Sequence, residues 1–405
     1  MTNLKDVNDF LNPKTIALIG ASNNPEKIGN ILMKKLNLFN GKLIPINPNS
    51  ELIENKKAYK TILDYHKKID LVIIAIPAKF VPKVLKQCCK KNIKDVIIIS
   101  AGFSEKKKYT LNNKLLKLEK KYKLNILGPN CFGIFNPHLN LDSTFSRLTP
   151  KKGNIAFLSQ SGALWSYLAD LDLGFSGYVS LGNMIDLDFA DFAEYYNKDK
   201  NTKKIICYIE RLKDGKKFID VCKNSKKQII VIKAGKTNSG KKAAISHTGS
   251  IATDYEIYKS AFKQAKVKLV NSLSEALNLK KIDISKKLTF KNGIILTNAG
   301  GAAALLTDEL SEKGFKIDKI IDVLGTATTT DYSKVLEKLK EHNYSGQIII
   351  VLTPQTMSEP EKTAEMISNS ELKNQIIAIF LGEKSITSAV EILKKNSIHV
   401  FTSGV

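Results

Sequence analysis

A short, wholly apolar run that closes on a turn of small residues and then gives way to a helix-period segment recurs along this chain. Residues 14–20, Lys-Thr-Ile-Ala-Leu-Ile-Gly, are the first instance. A run this short and this apolar reads as a strand buried on both faces, the pattern of a parallel sheet. The loop from Ala21 to Lys27 leads to Gly29 and to an amphipathic helix bearing Ile31, Leu32, Leu36 and Leu38. Runs at 43–46, 71–76, 96–100 and 124–127 extend the first series, with a helix at 81–89 and a Lys-rich helix after residue 100. Runs at 154–158, 178–181, 204–209 and 228–233 form a second series. Those at 293–296, 347–352, 376–381 and 398–402 form a third. Strands alternating with helices of this length predict α/β architecture with doubly wound parallel sheets.

Two stretches interrupt the alternation. Residues 134–152 carry Asn136-Pro137, Pro150 and Lys151-Lys152-Gly153 with little periodicity, and residues 280–287 are a polar linker. At 405 residues the chain exceeds one ordinary core, so the breaks predict domains at 1–133, 150–282 and 289–405. No apolar run is long enough to span a membrane, and the first residues lack a signal-peptide core, so a cytoplasmic protein is expected. Cys88, Cys89, Cys131, Cys207 and Cys222 form no CxxC pair, which fits reduced thiols.

The formal net charge of +24 invites a nucleic-acid reading. The composition argues against it: the only arginines are Arg147 and Arg211, and no basic stripe is interleaved with aromatics. A solvated lysine surface that attracts anionic phosphate ligands is the better account.

In doubly wound sheets, ligands bind beyond the carboxyl ends of the strands. Those ends are Gly20-Ala21-Ser22, Pro77-Ala78, Ser100-Ala101-Gly102 and Gly128-Pro129-Asn130. The first turn opens a helix whose amides can hold a phosphate. The GxGxxG fingerprint is missing, and Asn47-Pro48-Asn49 supplies no acidic strand tip for a ribose, so an adenine nucleotide with phosphates fits better than NAD. A turn that is glycine-rich only for tight packing is the alternative. Ser159-Gln160-Ser161-Gly162-Ala163 is a second helix start suited to an anion.

Among the five histidines only His247 sits among Ser, Thr and Gly. It can serve as general base, metal ligand or covalent nucleophile, or be a plain turn residue. No second His or Cys stands at ligand spacing, so no metal site is expected. Glu210, at the end of the 204–209 run, is either a surface residue or an acceptor for one imidazole nitrogen. Residues 235–241 match GxxxxGK, but Lys242 replaces the Ser or Thr of a Walker A loop and the following residues break helical periodicity. The stretch reads as a false P-loop in a mobile 234–249 loop.

Taken together, Ile19-Gly20-Ala21-Ser22, Gly29, Gly128-Pro129-Asn130-Cys131-Phe132-Gly133, Ser159-Gln160-Ser161-Gly162, Leu181-Gly182-Asn183, Tyr208-Ile209-Glu210, Ser246-His247-Thr248-Gly249 and Thr297-Asn298-Ala299-Gly300-Gly301 resemble the α part of ADP-forming acyl-CoA synthetases, relatives of succinyl-CoA synthetase. The resemblance implies an N-terminal Rossmann-like CoA-binding domain and two flavodoxin-like domains. It implies interconversion of acyl-CoA, ADP and phosphate with carboxylate, CoA and ATP, through an acyl phosphate and a phosphohistidine at His247. Glu210 would steady the imidazole, and Ser161, Gly162 and Gly249 would bind the phosphoryl oxygens. Coenzyme A would lie on Gly20, Ala21, Ser22, Lys27 and Gly29, with Pro77, Ser100, Ala101 and Asn130 along its pantetheine arm. ADP or ATP with Mg2+ would be handled by an ATP-grasp beta subunit in a hetero-oligomer, or by a further segment if this chain is a fragment, because no ATP-grasp segment occurs within 1–405. The third domain has Gly300-Gly301-Ala302-Ala303 where Gly-Gly-Pro-Gly is usual, and Arg211 where Gly is common. The competing readings are a CoA- or nucleotide-binding regulatory module and an NAD-dependent oxidoreductase.

Overall fold

The computed structural model describes residues 4–103, 109–248, 254–280 and 282–405, with the backbone alone for 109–110 and 244–248. Three sheets organise the chain. The first contains β1 (Thr15–Ile19), β2 (Lys42–Ile46), β5 (Leu71–Ile74), β6 (Asp95–Ile98) and β7 (Asn125–Leu127); β3 (Leu52–Ile53) and β4 (Lys56–Lys57) form a small antiparallel hairpin beside it. Its order, β2-β1-β5-β6-β7, is parallel throughout.

The second sheet contains β8 (Ile134–Asn136), β9 (Leu141–Asp142), β10 (Lys151–Ser159), β11 (Gly174–Ser180), β12 (Lys204–Ile209), β13 (Gln228–Lys233) and β14 (Lys268–Val270), in the order β14-β13-β12-β10-β11-β8-β9. Only β8 and β9, at one edge, run antiparallel. The third sheet, parallel in the order β16-β15-β17-β18-β19, contains β15 (Asn292–Thr297), β16 (Lys316–Asp322), β17 (Gln347–Leu352), β18 (Ile376–Phe380) and β19 (His399–Phe401).

The winding is the same three times. The parallel part of each sheet starts at an inner strand (β1, β10, β15), steps to one side, then crosses back and continues on the other. The central strands are apolar and buried on both faces, as in Leu71–Ile74 and Gln347–Leu352. The second sheet is the middle layer. One apolar cluster joins Leu18, Leu32 and Ile73 to Leu158, Val179 and Ile205, and a second joins Phe157, Tyr178 and Ile230 to Ile295, Leu305 and Ile349.

The structure departs from the sequence reading in three places. The stretch after residue 134 is not irregular but supplies β8 and β9 to the second sheet. Lys316–Asp322 is a strand that its sequence hides, because it lies at a sheet edge and its positions are half-buried or exposed. The segment expected to be a loop is a helix, Asn238–Thr248. Its small residues carry little amphipathic signal, but Ala and Lys are sound helix formers.

Candidate functional site

The strand order fixes where a ligand can lie. Crevices open at the carboxyl ends of the two strands between which the winding reverses. In the first sheet those ends are Gly20 after β1 and Ala75-Ile76 after β5. In the second they are Gln160-Ser161 after β10 and Glu210 after β12, and in the third Asn298 after β15 and Thr353 after β17. A single cleft of about 1030 Å³ is lined from all three. Gly20, Ser22, Lys27, Gly29, Pro77, Ser100, Ala101, Asn130, Ser161 and Gly162 all stand on its wall. Asn47, Lys60 and Lys83 of the first unit and Asn298, Leu324 and Gln355 of the third join them. Asn298 belongs to a turn that carries the family resemblance; no local sequence pattern marks the other five, and only the strand order brings them together.

The first-sheet end is rigid. Gly20 has φ +94°, and a Cβ there would lie 2.3 Å from the Ala75 carbonyl oxygen. A Cβ on Gly29 would lie 1.9 Å from the Gly20 carbonyl oxygen. Both glycines are therefore required for the helix Ile28–Leu36 to close onto β1, whatever the cleft holds. Ala21 is fully buried, and its carbonyl accepts from Asn47 Nδ2 at 2.7 Å. Ser22 Oγ accepts from the Asn24 amide at 3.0 Å, which shapes the turn. Ser100 Oγ donates to the Ile76 carbonyl at 2.5 Å, and the Asn130 amide donates to the Ser100 carbonyl at 2.9 Å. Lys27, Lys60 and Lys83 are exposed around this end, an electropositive rim for phosphates.

At the second-sheet end, the helix Ala163–Asp170 starts at Gly162 without a side-chain cap. The Ser161 amide is already donated to Ser159 Oγ at 3.1 Å, so an incoming anion would meet the amides that follow it. A Cβ on Gly162 would lie 2.5 Å from Phe132 Cβ, and one on Gly301 would lie 2.4 Å from Ser161 Oγ. Glu210 is buried behind this end. Its amide and that of Arg211 donate to Gln160 Oε1 at 2.7 and 2.8 Å, and Tyr208 Oη donates to Glu210 Oε1 at 3.2 Å. Burial, followed by the Glu210 charge, holds the Tyr208 phenol well above its ordinary pKa. Arg211 Nη2 donates to the Asn183 carbonyl at 2.9 Å, so this residue braces the neighbouring turn.

Lys233, which sequence reasoning passed over as a strand flank, is buried at the end of β13. Its Nζ sits 4.8 Å over the Tyr258 ring and donates to the Ala234 carbonyl. Desolvation lowers its pKa to about 8, opposed by the charges of Glu210 and Asp308. The Ala234 amide donates to the Ile209 carbonyl at 3.0 Å, so the chain ends bearing Glu210 and the start of the 234–237 turn lie side by side. That turn leads into Asn238–Thr248, whose penultimate residue is His247. The His247 side chain and the whole of Gly249 lie outside the described residues.

At the third-sheet end, Gln355 is 1 % exposed, and its Oε1 has no hydrogen-bond partner among the described residues. At the second-sheet side, Asn183 Nδ2 is likewise buried and without a hydrogen-bond partner among the described residues, and both residues stand along the cleft wall. Among the described residues no group of three His, Cys, Asp or Glu side chains is placed to hold a metal ion. No described helix is long and apolar enough to cross a membrane.

Residues 14–137 match the CoA binding domain family, and residues 152–282 match the succinyl-CoA ligase-like flavodoxin domain family. The chain is 38 % identical to the alpha subunit of ADP-forming acetate–CoA ligase II of Pyrococcus furiosus, an alignment covering 97 % of this chain and 93 % of the relative. It is 40 % identical to the ADP-forming acetate–CoA ligase of Methanocaldococcus jannaschii, covering 96 % of this chain but 60 % of that longer protein. A solved structure, the acetyl-coenzyme A synthetase 1 of Ca. Korarchaeum cryptofilum in complex with phosphate and ADP, superposes with a TM-score of 0.65 at 32 % identity, covering 98 % of this chain and 93 % of that one. By 38 % identity over a near end-to-end alignment and by both domain families, the chain belongs to the ADP-forming acyl-CoA ligase family and corresponds to its alpha subunit.

Proposed function

We propose that this chain works as the acyl-CoA and phosphohistidine half of an ADP-forming acyl-CoA ligase. The observation that carries the reading is the single cleft shared by three winding-reversal points. Coenzyme A fits the first-sheet end. The lysine rim suits its phosphates, Asn47 and Asn130 offer polar contacts, and Ile76, Pro77 and Val84 line a path for the pantetheine arm. The thioester then comes to the start of the helix Ala163–Asp170. There the phosphate oxygen attacks the acyl carbon, the C–S bond breaks, and CoA leaves as the thiolate. Amides at Gly162 and Ala163 offset charge on the phosphoryl oxygens. A nitrogen of His247 next attacks phosphorus, the carboxylate leaves, and the phosphoryl group remains on the imidazole. Glu210, buried between β12 and the 234–237 turn, steadies the imidazole as it gains positive charge.

ADP takes the phosphoryl group on a second active surface. The named alpha-subunit relative, and the longer relative of which this chain spans 60 %, support a surface outside residues 1–405, which we assign to an ATP-grasp beta partner with Mg2+. The three sheets support a division into three units near the proposed 1–133, 150–282 and 289–405, with residues 134–142 added to the second. The free thiols support a cytoplasmic setting. The acid is small, as in the named acetate ligases.

The test is covalent. The protein incubated with labelled acetyl phosphate, or with its partner and γ-labelled ATP, is digested and the peptides are mapped. Acid-labile label is expected on the peptide containing His247 and is expected to vanish in His247→Ala. Label that survives acid, or that persists in His247→Ala, removes the phosphohistidine from the mechanism.

A further inference from the structure

The turn that begins the His247 helix has the backbone of a phosphate cradle, and the protein fills it with its own carboxylate. Asp308, on the helix Gly300–Glu312 of the third unit, is 7 % exposed. Its Oδ2 accepts from the amides of Gly235 and Lys236 at 2.7 and 3.0 Å. Its Oδ1 accepts from the amide and the hydroxyl of Thr237 at 2.7 and 2.9 Å. Thr237 Oγ1 in turn accepts from the Gly240 amide at 2.9 Å, which starts the helix. Gly240 passes so close that a Cβ would lie 1.9 Å from Asp308 Oδ1. Gly235, at φ +82°, gives the turn its concave shape. One turn further along the same third-unit helix, Glu312 Oε1 pairs with Lys236 Nζ at 2.5 Å. The GxxxxGK spacing thus does build an anion site, but its occupant is Asp308.

The same third-unit helix reaches the other half of the candidate site at its start. Gly301 abuts Ser161 Oγ, and its carbonyl accepts from Tyr208 Oη, the hydroxyl that also contacts Glu210. One rigid helix therefore spans from the phosphoryl-binding turn to the root of the segment that bears His247. We infer that Asp308 is a positioning residue for phosphoryl transfer: its carboxylate anchors the 235–237 turn and so fixes the near end of the His247 helix in register with Ser161 and Glu210. The inference rests on the reading of His247 as the phosphoryl carrier. With four donors already spent on a fixed charge, the cradle has little left to offer a nucleotide phosphate.

The experiment uses the whole chain and labelled acetyl phosphate, following the rate of acid-labile labelling at His247. Asp308→Asn keeps the shape but gives up acceptor strength at three amides, so labelling is expected to slow about ten- to a hundredfold. CoA affinity by calorimetry is expected to stay within about twofold, because the cradle is remote from the lysine rim. Asp308→Ala is expected to be slower still and to recover part of its rate in millimolar formate, which can refill the cradle. A residue needed only for stability would lower the melting temperature without formate-dependent recovery of the labelling rate. If Asp308→Ala does not fold, Thr237→Val, which removes one of the four donors, is expected to show a smaller slowing in the same direction. Equal labelling rates in the unaltered protein and Asp308→Asn overturn the inference while leaving His247 in place. No label at His247 in the unaltered protein overturns the phosphohistidine reading, and this inference with it.

Discussion

Two buried residues at the ends of neighbouring strands carry opposite charges, and each makes a distinct prediction. Glu210→Gln keeps an oxygen for Tyr208 Oη and leaves the Gln160 bonds to the backbone intact, so the fold is expected to persist. A neutral amide stabilises an imidazole that gains charge less than a carboxylate does. Loss of one charge-assisted bond, roughly 1.5–3 kcal/mol, predicts phosphoryl transfer about ten- to a hundredfold slower. An unchanged single-turnover rate of His247 labelling would return Glu210 to a purely structural role. Lys233 has its folded pKa lowered to about 8 by burial, against 10.5 when exposed. The unfolded chain therefore binds the extra proton between these values, and stability from this group rises as pH climbs from about 8 toward 10.5. Lys233→Met removes that term. Denaturant titrations are expected to show the variant gaining on the unaltered protein at pH 7, and the gap narrowing by pH 9.5; a pH-independent gap would mean that Lys233 is not desolvated in solution.

At the scale of elements, what could be read from the sequence follows from burial. β1, β5, β10, β12, β13, β15, β17 and β18 are apolar runs inside parallel sheets, and each is visible because both faces are covered. β14 and β16 lie at sheet edges, where Lys268, Lys316 and Lys319 face water, so their sequences look like loops. β8 and β9 are too short for an alternation to register. The strand-end turns at Gly20 and Ser161 were legible as candidate ligand sites because each opens a helix with small residues and free amides after a buried strand. Asn47, Lys60, Lys83, Leu324 and Gln355 were not, since each comes from a different connection and only the strand order brings them to one cleft. The helix Asn238–Thr248 was hidden for another reason: its start is held by Asp308, some seventy residues away, in addition to the local Thr237 cap.

For the whole molecule, the middle sheet is bonded to both neighbours. Lys35 Nζ reaches Asp142 Oδ2 at 2.8 Å from the first unit, and Asp186 Oδ2 accepts from the Ile126 amide at 2.9 Å. Arg147 donates to the carbonyls of Gln355 and Ser358 in the third, and Asp170 accepts from the amides of Glu383 and Ser385. The cleft keeps its shape through these ties, while the lysine rim acts from outside. Replacing Lys27, Lys60 and Lys83 by Ala one at a time is therefore expected to weaken CoA by roughly two- to fivefold each without moving the melting temperature, and to flatten the salt dependence of binding. Calorimetry at two ionic strengths checks this, and an unaltered affinity for all three would take the phosphates away from the rim.

The pairing of β8 with β11, and of Arg147 with Gln355 and Ser358, also sets an order on how the protein comes into being. As the chain emerges during synthesis, β1 through β7 can close on their own core, but residues 134–136 have only the short 141–142 strand to lie against until 174–180 have followed. The last wall of the cleft waits for Gln355. The pocket between the units therefore cannot exist until parts of all three have been made.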